Sequence, residues 1–417
     1  MSVDTRGRPP SVTARAANVY GSPGGHPPTG RAGQPSTAGG GGNPPTGRGG
    51  KAGRRKRRRD PFWARALVVF GATLMMLSGI AIVGSKAMIS QATGNIDREN
   101  LLGGAGKSEA EGGRNLDGPI DLLLLGVDAR TGWKEDETRP DTIIILHIPA
   151  THDRAYLLSI PRDTEARIPA FGQSRYPGGI DKINAAFQHG AQNGGGYKGG
   201  TQLLAQTIKN MSGISFDGAA IINFQGFKSV IDALGTVRMC VDQRVESYHM
   251  RMVDGKPTWN ADAKKAGKWG PPVVHKPGCK EMAGWEALDY SRQRYGLKNG
   301  DYDRQRHQQQ LIKAMAKKAM DGGVMTNPVK LNGLIKAAGK AFTLDTGGVP
   351  IDDFIFTMRG VTANDLTLLR TNGGKFHGEN SRELLSEESR AMFQAVKDDR
   401  LDEFILANPG ALAGKPA

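Results

Sequence analysis

The 417-residue chain has only two cysteines, Cys240 and Cys279. That is too few for a disulfide-dense scaffold, and their spacing is not the CxxC of a zinc site. Large apolar side chains are almost missing from residues 1–53, which carry 14 Gly and 8 Pro. Such a segment cannot bury enough surface to offset its ordering entropy, so residues 1–60 are expected to be a disordered basic tail. PPTGR occurs at 27–31 and again at 44–48 and reads as low complexity. Evenly spread positive charge is also lacking. The net charge is +15, but residues 1–60 hold 12 basic and 2 acidic side chains, against 44 and 39 in the remainder. This excludes a uniformly basic nucleic-acid coat and places one basic segment on a near-neutral body.

Charge of either sign is absent from Ala66 to Ser85, a run of 20 residues. At 1.5 Å per residue such a helix reaches about 30 Å, the thickness of a bilayer's hydrocarbon core. A core helix of that length would show a polar face, and this run has none. A cleaved signal would have a shorter apolar region nearer the N-terminus. The cluster Arg54–Arg59 precedes the run. Basic residues stay on the cytoplasmic side, so the tail is expected inside and residues 87–417 outside a cell membrane crossed once. The same cluster suits contact with anionic headgroups.

Residues 86–115 are polar and glycine-rich and read as a linker, 116–408 as one extracytoplasmic catalytic domain, and 409–417 as a flexible end. Continuous apolar runs predict strands at Ile120–Val127, Ile143–Ile148 and Tyr156–Ile160. Further strands are expected at Ala219–Phe224, Thr236–Val241 and Leu366–Arg370. Helical spacing predicts helices over Thr201–Met211, Gly226–Leu234, His307–Met320 and Ser386–Val396. The alternation points to a layered α/β sandwich, a central mixed sheet with helices on both faces.

The exported part has no nucleophile elbow, HExxH, P-loop or GxGxxG. What it has is Arg and Asp at predicted strand ends: Asp128 and Arg130 in LLLLGVDAR, Asp141 in RPDT, Arg162 and Asp163 in SIPRD. A further group, Arg292, Arg294, Asp301, Asp303, Arg304 and Arg306, lies in YSRQRYGLKNGDYDRQRHQQQ. Loops beyond strand ends form the ligand crevice of α/β sheets. The planar five-donor guanidinium matches phosphate oxygens. Carboxylates beside it suit Mg²⁺, which keeps phosphate and water in its shell. Together they point to a metal-bound pyrophosphate, with plain strand-end salt bridges as the alternative.

LLLLGVDAR, RPDT, LLSIPRD, DKINAAF, FQGFKSVIDALG, LDYSRQR and GDYDRQRHQQQ follow one another between about 119 and 320. In that order they resemble the LytR–CpsA–Psr family of membrane-anchored cell-wall glycopolymer ligases. The resemblance implies transfer of a glycan phosphate from a polyprenyl-pyrophosphate carrier to a peptidoglycan hydroxyl. It implies Asp128 and Asp141 as ligands of Mg²⁺ (or Mn²⁺), and Arg130, Arg162, Arg292, Arg294 and Arg304 as pyrophosphate clamps. Asp163 would hold Arg162 or assist the acceptor. One departure stands out: the second arginine of the last motif is replaced by His307, and either Arg306 beside it substitutes or His307 binds phosphate in its charged form. On this reading, loss of Asp128 or Arg304 is expected to stop transfer with the melting temperature nearly unchanged.

Phe224, Phe227, Ile231 and Leu234 fit either a polyprenyl groove or ordinary core. Lys182 and Asn184 either border the site or shape a turn, and His147 reads as a satisfied strand residue. Cys240 and Cys279 flank a polar stretch without periodicity, an expected insertion loop. Outside the cytoplasm they can form a disulfide, and two free buried thiols are the alternative. Two other function classes remain: a lipid-pyrophosphate hydrolase using the same site, and a regulator, for which no helix-turn-helix pattern is evident.

Overall fold

A computed structural model describes residues 97–111, 115–127, 135–324, 327–339, 342–379 and 381–413. The expected tail, the Ala66–Ser85 span, Asp128 and Arg130 lie outside the described residues. Among the described residues no helix is long and apolar enough to cross a membrane.

The strands are β1 (Asp97–Arg98), β2 (Ile120–Val127), β3 (Pro140–Ile148), β4 (Ala155–Ser159), β5 (Glu165–Ile168), β6 (Gly179–Lys182) and β7 (Gly218–Asn223). They continue with β8 (Val237–Val241), β9 (Val245–Val253), β10 (Lys256–Trp259), β11 (Pro272–His275), β12 (Gly278–Met282), β13 (Phe342–Asp345) and β14 (Leu366–Arg370). Seven of them form a mixed sheet in the order β1-β13-β7-β2-β3-β4-β14. β2 pairs parallel with β7 and antiparallel with β3, and β4 runs antiparallel to β3. The C-terminal ends of β2, β4 and β7 and the N-terminal end of β3 therefore share one edge of the sheet.

Alternation along β2 divides its side chains between two cores. Leu123, Leu125 and Val127 join Ile143 and Ile145 on one face. They pack against helices α1 (Ile183–Ala191), α2 (Gly196–Ser212), α9 (Glu387–Lys397) and α10 (Leu401–Ala407). Ile120, Leu122 and Leu124 join Ile144, Leu146 and Ile148 on the other. That face is covered by Ile312, Ala316 and Met320 of α6 (Asp301–Asp321) and Phe354 of α8 (Ile351–Thr357). Helix α7 (Pro328–Gly339) precedes β13. A third core packs α3 (Phe224–Leu234), α5 (Gly284–Arg292) and α6 against the antiparallel pair β8–β12 through Ile231, Met239, Met282, Tyr290 and Leu311. Helix α2 ends at Gly213, whose φ of 74° closes the last turn with an N–H to Lys209 carbonyl.

Three boundaries differ from those expected. The described part of the presumed linker, residues 97–111, belongs to the domain: β1 pairs with β13, Leu101, Leu102 and Ala105 are buried, and Asp345 accepts from the N–H groups of Leu101 and Leu102. The presumed flexible end begins with an ordered stretch: Ala411 is buried, and Ala413 donates to the Leu368 carbonyl. The stretch between the cysteines is folded as well. It forms the three-stranded sheet β10-β9-β11 and the short helix α4 (Asn260–Lys265). Cys240 and Cys279 face each other in the β8–β12 ladder and are joined by a disulfide.

At the sheet end opposite the strand-end arginines, His147 is fully buried. Its Nδ1 lies 2.8 Å from Asp121 and its Nε2 3.1 Å from Asp399. Burial opposes the imidazolium, but the two carboxylates outweigh it and raise the pKa to about 9. Lys107 ion-pairs with Asp217 at 2.7 Å in the same cluster.

Candidate functional site

The shared sheet edge and the start of α6 bring Asp141, Arg162, Arg292, Arg294 and Arg304 into one open cleft of about 170 Å³, completed by Phe224, His249, Tyr295 and Gln308. Asp141 is the second residue of β3, and Arg162 follows β4 on the adjacent strand. Arg304 sits one turn into α6, three residues after Asp301 and four before Gln308, a spacing that puts all three on one helix face.

Asp141 is the hub. Arg162 Nη1 donates to Asp141 Oδ1, and Arg304 Nη2 donates to the Asp141 carbonyl at 2.9 Å. Burial disfavours the Asp141 carboxylate, but Arg304 and Arg162 outweigh it and hold its pKa below the ordinary value. Burial also works against the Arg162 cation, and Asp141, Asp301 and Asp163 more than offset it. Arg304 is 4% exposed and pairs with Asp301 at 2.8 Å. Burial, joined by repulsion from Arg162 and Arg294, lowers its pKa. The Nε atoms of Arg162 and Arg304 are buried and find no hydrogen-bond partner among the described residues.

Arg292 ends α5, and its guanidinium lies 3.9 Å from the Phe224 ring centroid, a cation–π contact that holds it at the cleft wall. Arg294 reaches the Tyr295 hydroxyl at 3.1 Å. Phe224 thus serves the arginine site, while Ile231 is buried in the third core and Phe227 packs against it. Asp163 does not line the cleft. Lys182 holds it at 2.8 Å, and Arg162 Nε lies 3.7 Å away. Glu383, which the sequence did not single out, is buried beside this pair and donates its N–H to the Asp163 carbonyl. Burial raises its pKa to about 7, with Asp301 and Asp163 adding to the rise, while Tyr302 and Asn372 donate to Oε1.

His307 and Arg306 are not in the cleft. Arg306 is two residues beyond Arg304, on another helix face, and binds Asp242 and Asp303. His307 is fully buried, 2.9 Å from the Tyr290 hydroxyl, and burial lowers its pKa, so it is not a phosphate-binding cation. Arg304 also holds Asp301, and its truncation would leave that carboxylate without its closest cation, so a lowered melting temperature is now expected in place of an unchanged one.

One Asp141 oxygen remains usable by a metal: Oδ2 lies 3.9 Å from Arg304 Nη1, beyond hydrogen-bond distance. No group of three or more His, Cys, Asp or Glu suited to a metal occurs among the described residues. Mg²⁺ commonly takes one or two carboxylates plus phosphate oxygens, so the donor set fits such an ion, with the ligand supplying the remainder.

The profile of the LytR_cpsA_psr family matches residues 86–393. The chain belongs to that family. Among curated relatives, the cell wall biosynthesis protein LcpA of Corynebacterium glutamicum is 26% identical over 310 residues, 68% of this chain and 55% of LcpA. The chain thus spans about half the length of that relative. The polyisoprenyl-teichoic acid–peptidoglycan teichoic acid transferase TagU of Oceanobacillus iheyensis is 27% identical over 332 residues, 78% of this chain and 88% of TagU. In fold, the chain resembles the crystal structure of protein gbs0355 from Streptococcus agalactiae. The TM-score is 0.52 at 20% identity, over 71% of this chain and 91% of that one.

Proposed function

We propose that the chain is a phosphotransferase that moves a glycan phosphate from a polyprenyl-pyrophosphate carrier to a peptidoglycan hydroxyl. The observation that carries this reading is the convergence of Arg162, Arg292, Arg294 and Arg304 on one cleft around a single carboxylate, Asp141. The four guanidinium groups offer a pyrophosphate planar donors beside Asp141, while Asp301 and Asp163 lie within 4.0 Å of Arg162 and Asp301 pairs with Arg304. The names of relatives such as TagU support a transferase acting on wall polymers.

In the proposed reaction the acceptor hydroxyl oxygen attacks the phosphorus that carries the glycan. A new P–O bond forms, the bond to the bridging oxygen breaks, polyprenyl phosphate leaves, and the hydroxyl proton passes to solvent. Such chemistry asks the protein for positioning and charge neutralisation. Arg162 and Arg304 would grip the phosphates, and Arg292 would be held toward them by Phe224. Lys182 and Asp163 would keep the Arg162 loop in place. Asp141 and Asp128 would hold Mg²⁺ or Mn²⁺, which would neutralise charge on the departing phosphate. The basic cluster and the Ala66–Ser85 run support a single membrane span with this domain outside the cell.

Full-length protein in detergent, given radiolabelled lipid-linked glycan with and without peptidoglycan, tests the reading. Label should enter peptidoglycan. Release of soluble glycan phosphate at the same rate without peptidoglycan would instead mark a hydrolase.

A further inference from the structure

Two tyrosines stand beside the arginine cleft. Tyr295 lines it, and Tyr248 packs against Tyr295, with ring centroids 4.7 Å apart and planes tilted by 38°. Tyr248 is 63% exposed and Tyr295 55%. Two large aromatic faces left together in solvent call for an occupant.

The pair stands on a rigid support. Tyr248 belongs to β9, its N–H donates to Gln293 Oε1 at 2.9 Å, and its carbonyl accepts from Asn260 Nδ2 at 2.8 Å. Gln293 is fully buried between Arg292 and Arg294 in sequence. Its Nε2 donates to the Asp289 carbonyl and carboxylate at 2.8 and 2.9 Å. Asp289, also fully buried, binds Ser247 Oγ at 2.8 Å and His275 Nε2 at 2.7 Å. This clamp ties β9 and β11 to the end of α5. It thereby fixes the tyrosines relative to the arginines on either side of Gln293.

We propose that Tyr248 and Tyr295 form a stacking subsite for the pyranose attached directly to the donor pyrophosphate. The proposal rests on the pyrophosphate reading of the cleft. A sugar esterified to a phosphate held by Arg292 and Arg294 begins one P–O–C linkage beyond them, and Tyr295 is the cleft residue that continues into the exposed pair. A pyranose offers an apolar C–H face to an aromatic ring while its hydroxyls stay in water. The pair matches that division, with flat rings bordered by the Arg294 guanidinium 4.9 Å from the Tyr295 centroid.

The test uses full-length protein in detergent and two probes, geranyl pyrophosphate and geranyl-pyrophosphoryl-N-acetylglucosamine, with affinities from calorimetry. Wild type should bind the sugar-bearing probe more tightly. Tyr248→Ala should weaken that probe by about 3- to 10-fold and leave geranyl pyrophosphate unchanged. Tyr248→Leu, which keeps apolar contact without a flat face, should behave like Tyr248→Ala, and Tyr248→Phe like wild type. An equal loss for both probes would assign the rings to the prenyl chain and overturn the proposal. Unchanged affinity for both would overturn it as well. Failure of wild type to bind geranyl pyrophosphate at all would refute the pyrophosphate reading itself, and the subsite with it.

Discussion

Replacing Arg162 by lysine separates a phosphate grip from a salt bridge. Arg162 donates to Asp141 through Nη1, while its Nε lies 3.7 Å from Asp163 and 4.0 Å from Asp301 without a hydrogen bond. Lysine keeps the positive charge among these three carboxylates, so stability should change little. The pair with Asp141 is partly exposed, and such pairs contribute about 0–1 kcal/mol. That corresponds to a shift of roughly 2–4 °C in Tm at most. The compact ammonium cannot hold Asp141 and also present a planar fork to a phosphate. Losing one charge-assisted hydrogen bond costs about 1.5–3 kcal/mol, or roughly 10- to 150-fold in Kd. Calorimetric titration of full-length protein with geranyl pyrophosphate and Mg²⁺, beside thermal unfolding, reads both quantities. Unchanged Kd in Arg162→Lys would mean that Arg162 serves only as the counter-ion of Asp141, and the reasoning would fail.

Replacing Cys240 and Cys279 together by serine should lower unfolding stability by about 3–4 kcal/mol, since the bridge closes 39 residues, as chemical denaturation would show. Arg304→Ala should lower Tm as well as transfer, because a buried ion pair loses one partner at a cost of about 3–5 kcal/mol. Arg306→Met, which removes the partner of Asp242, should lower Tm while leaving the affinity for geranyl pyrophosphate unchanged. The pKa of His147 is raised from 6.5 to about 9, so its ion pairs stabilise the fold fully below pH 6.5 and fade as pH climbs through 9. The stability difference between wild type and His147→Gln should shrink by roughly 3 kcal/mol across that window in urea titrations.

Five of the seven central strands, β2, β3, β4, β7 and β14, were legible as apolar runs such as Ile120–Val127, whereas β1 lay in the presumed linker and the short β13 was not expected. Arg162, Arg292, Arg294, Arg304 and Asp141 were legible as a set, and the sheet's antiparallel and parallel pairings explain why such distant segments meet. The β9–β11 sheet was not legible. Its strands carry Glu246, Tyr248 and Arg251 with little apolar alternation, and they owe their order to the buried Ser247–Asp289–His275–Gln293 contacts, which no local pattern announces. For the same reason His249 and Tyr295 were missed as cleft residues. Glu383 was missed because it reaches the site from 220 residues beyond Asp163. Arg306 and His307 were placed by motif, and only helix geometry shows them turned toward Asp242.

The most direct test of the central claim is an experimental structure of the protein with geranyl pyrophosphate. The account predicts both phosphates in the cleft, within hydrogen-bond distance of Arg162, Arg292 and Arg304. Phosphates bound elsewhere, with Arg162, Arg292 and Arg304 making no contact to them, would contradict it.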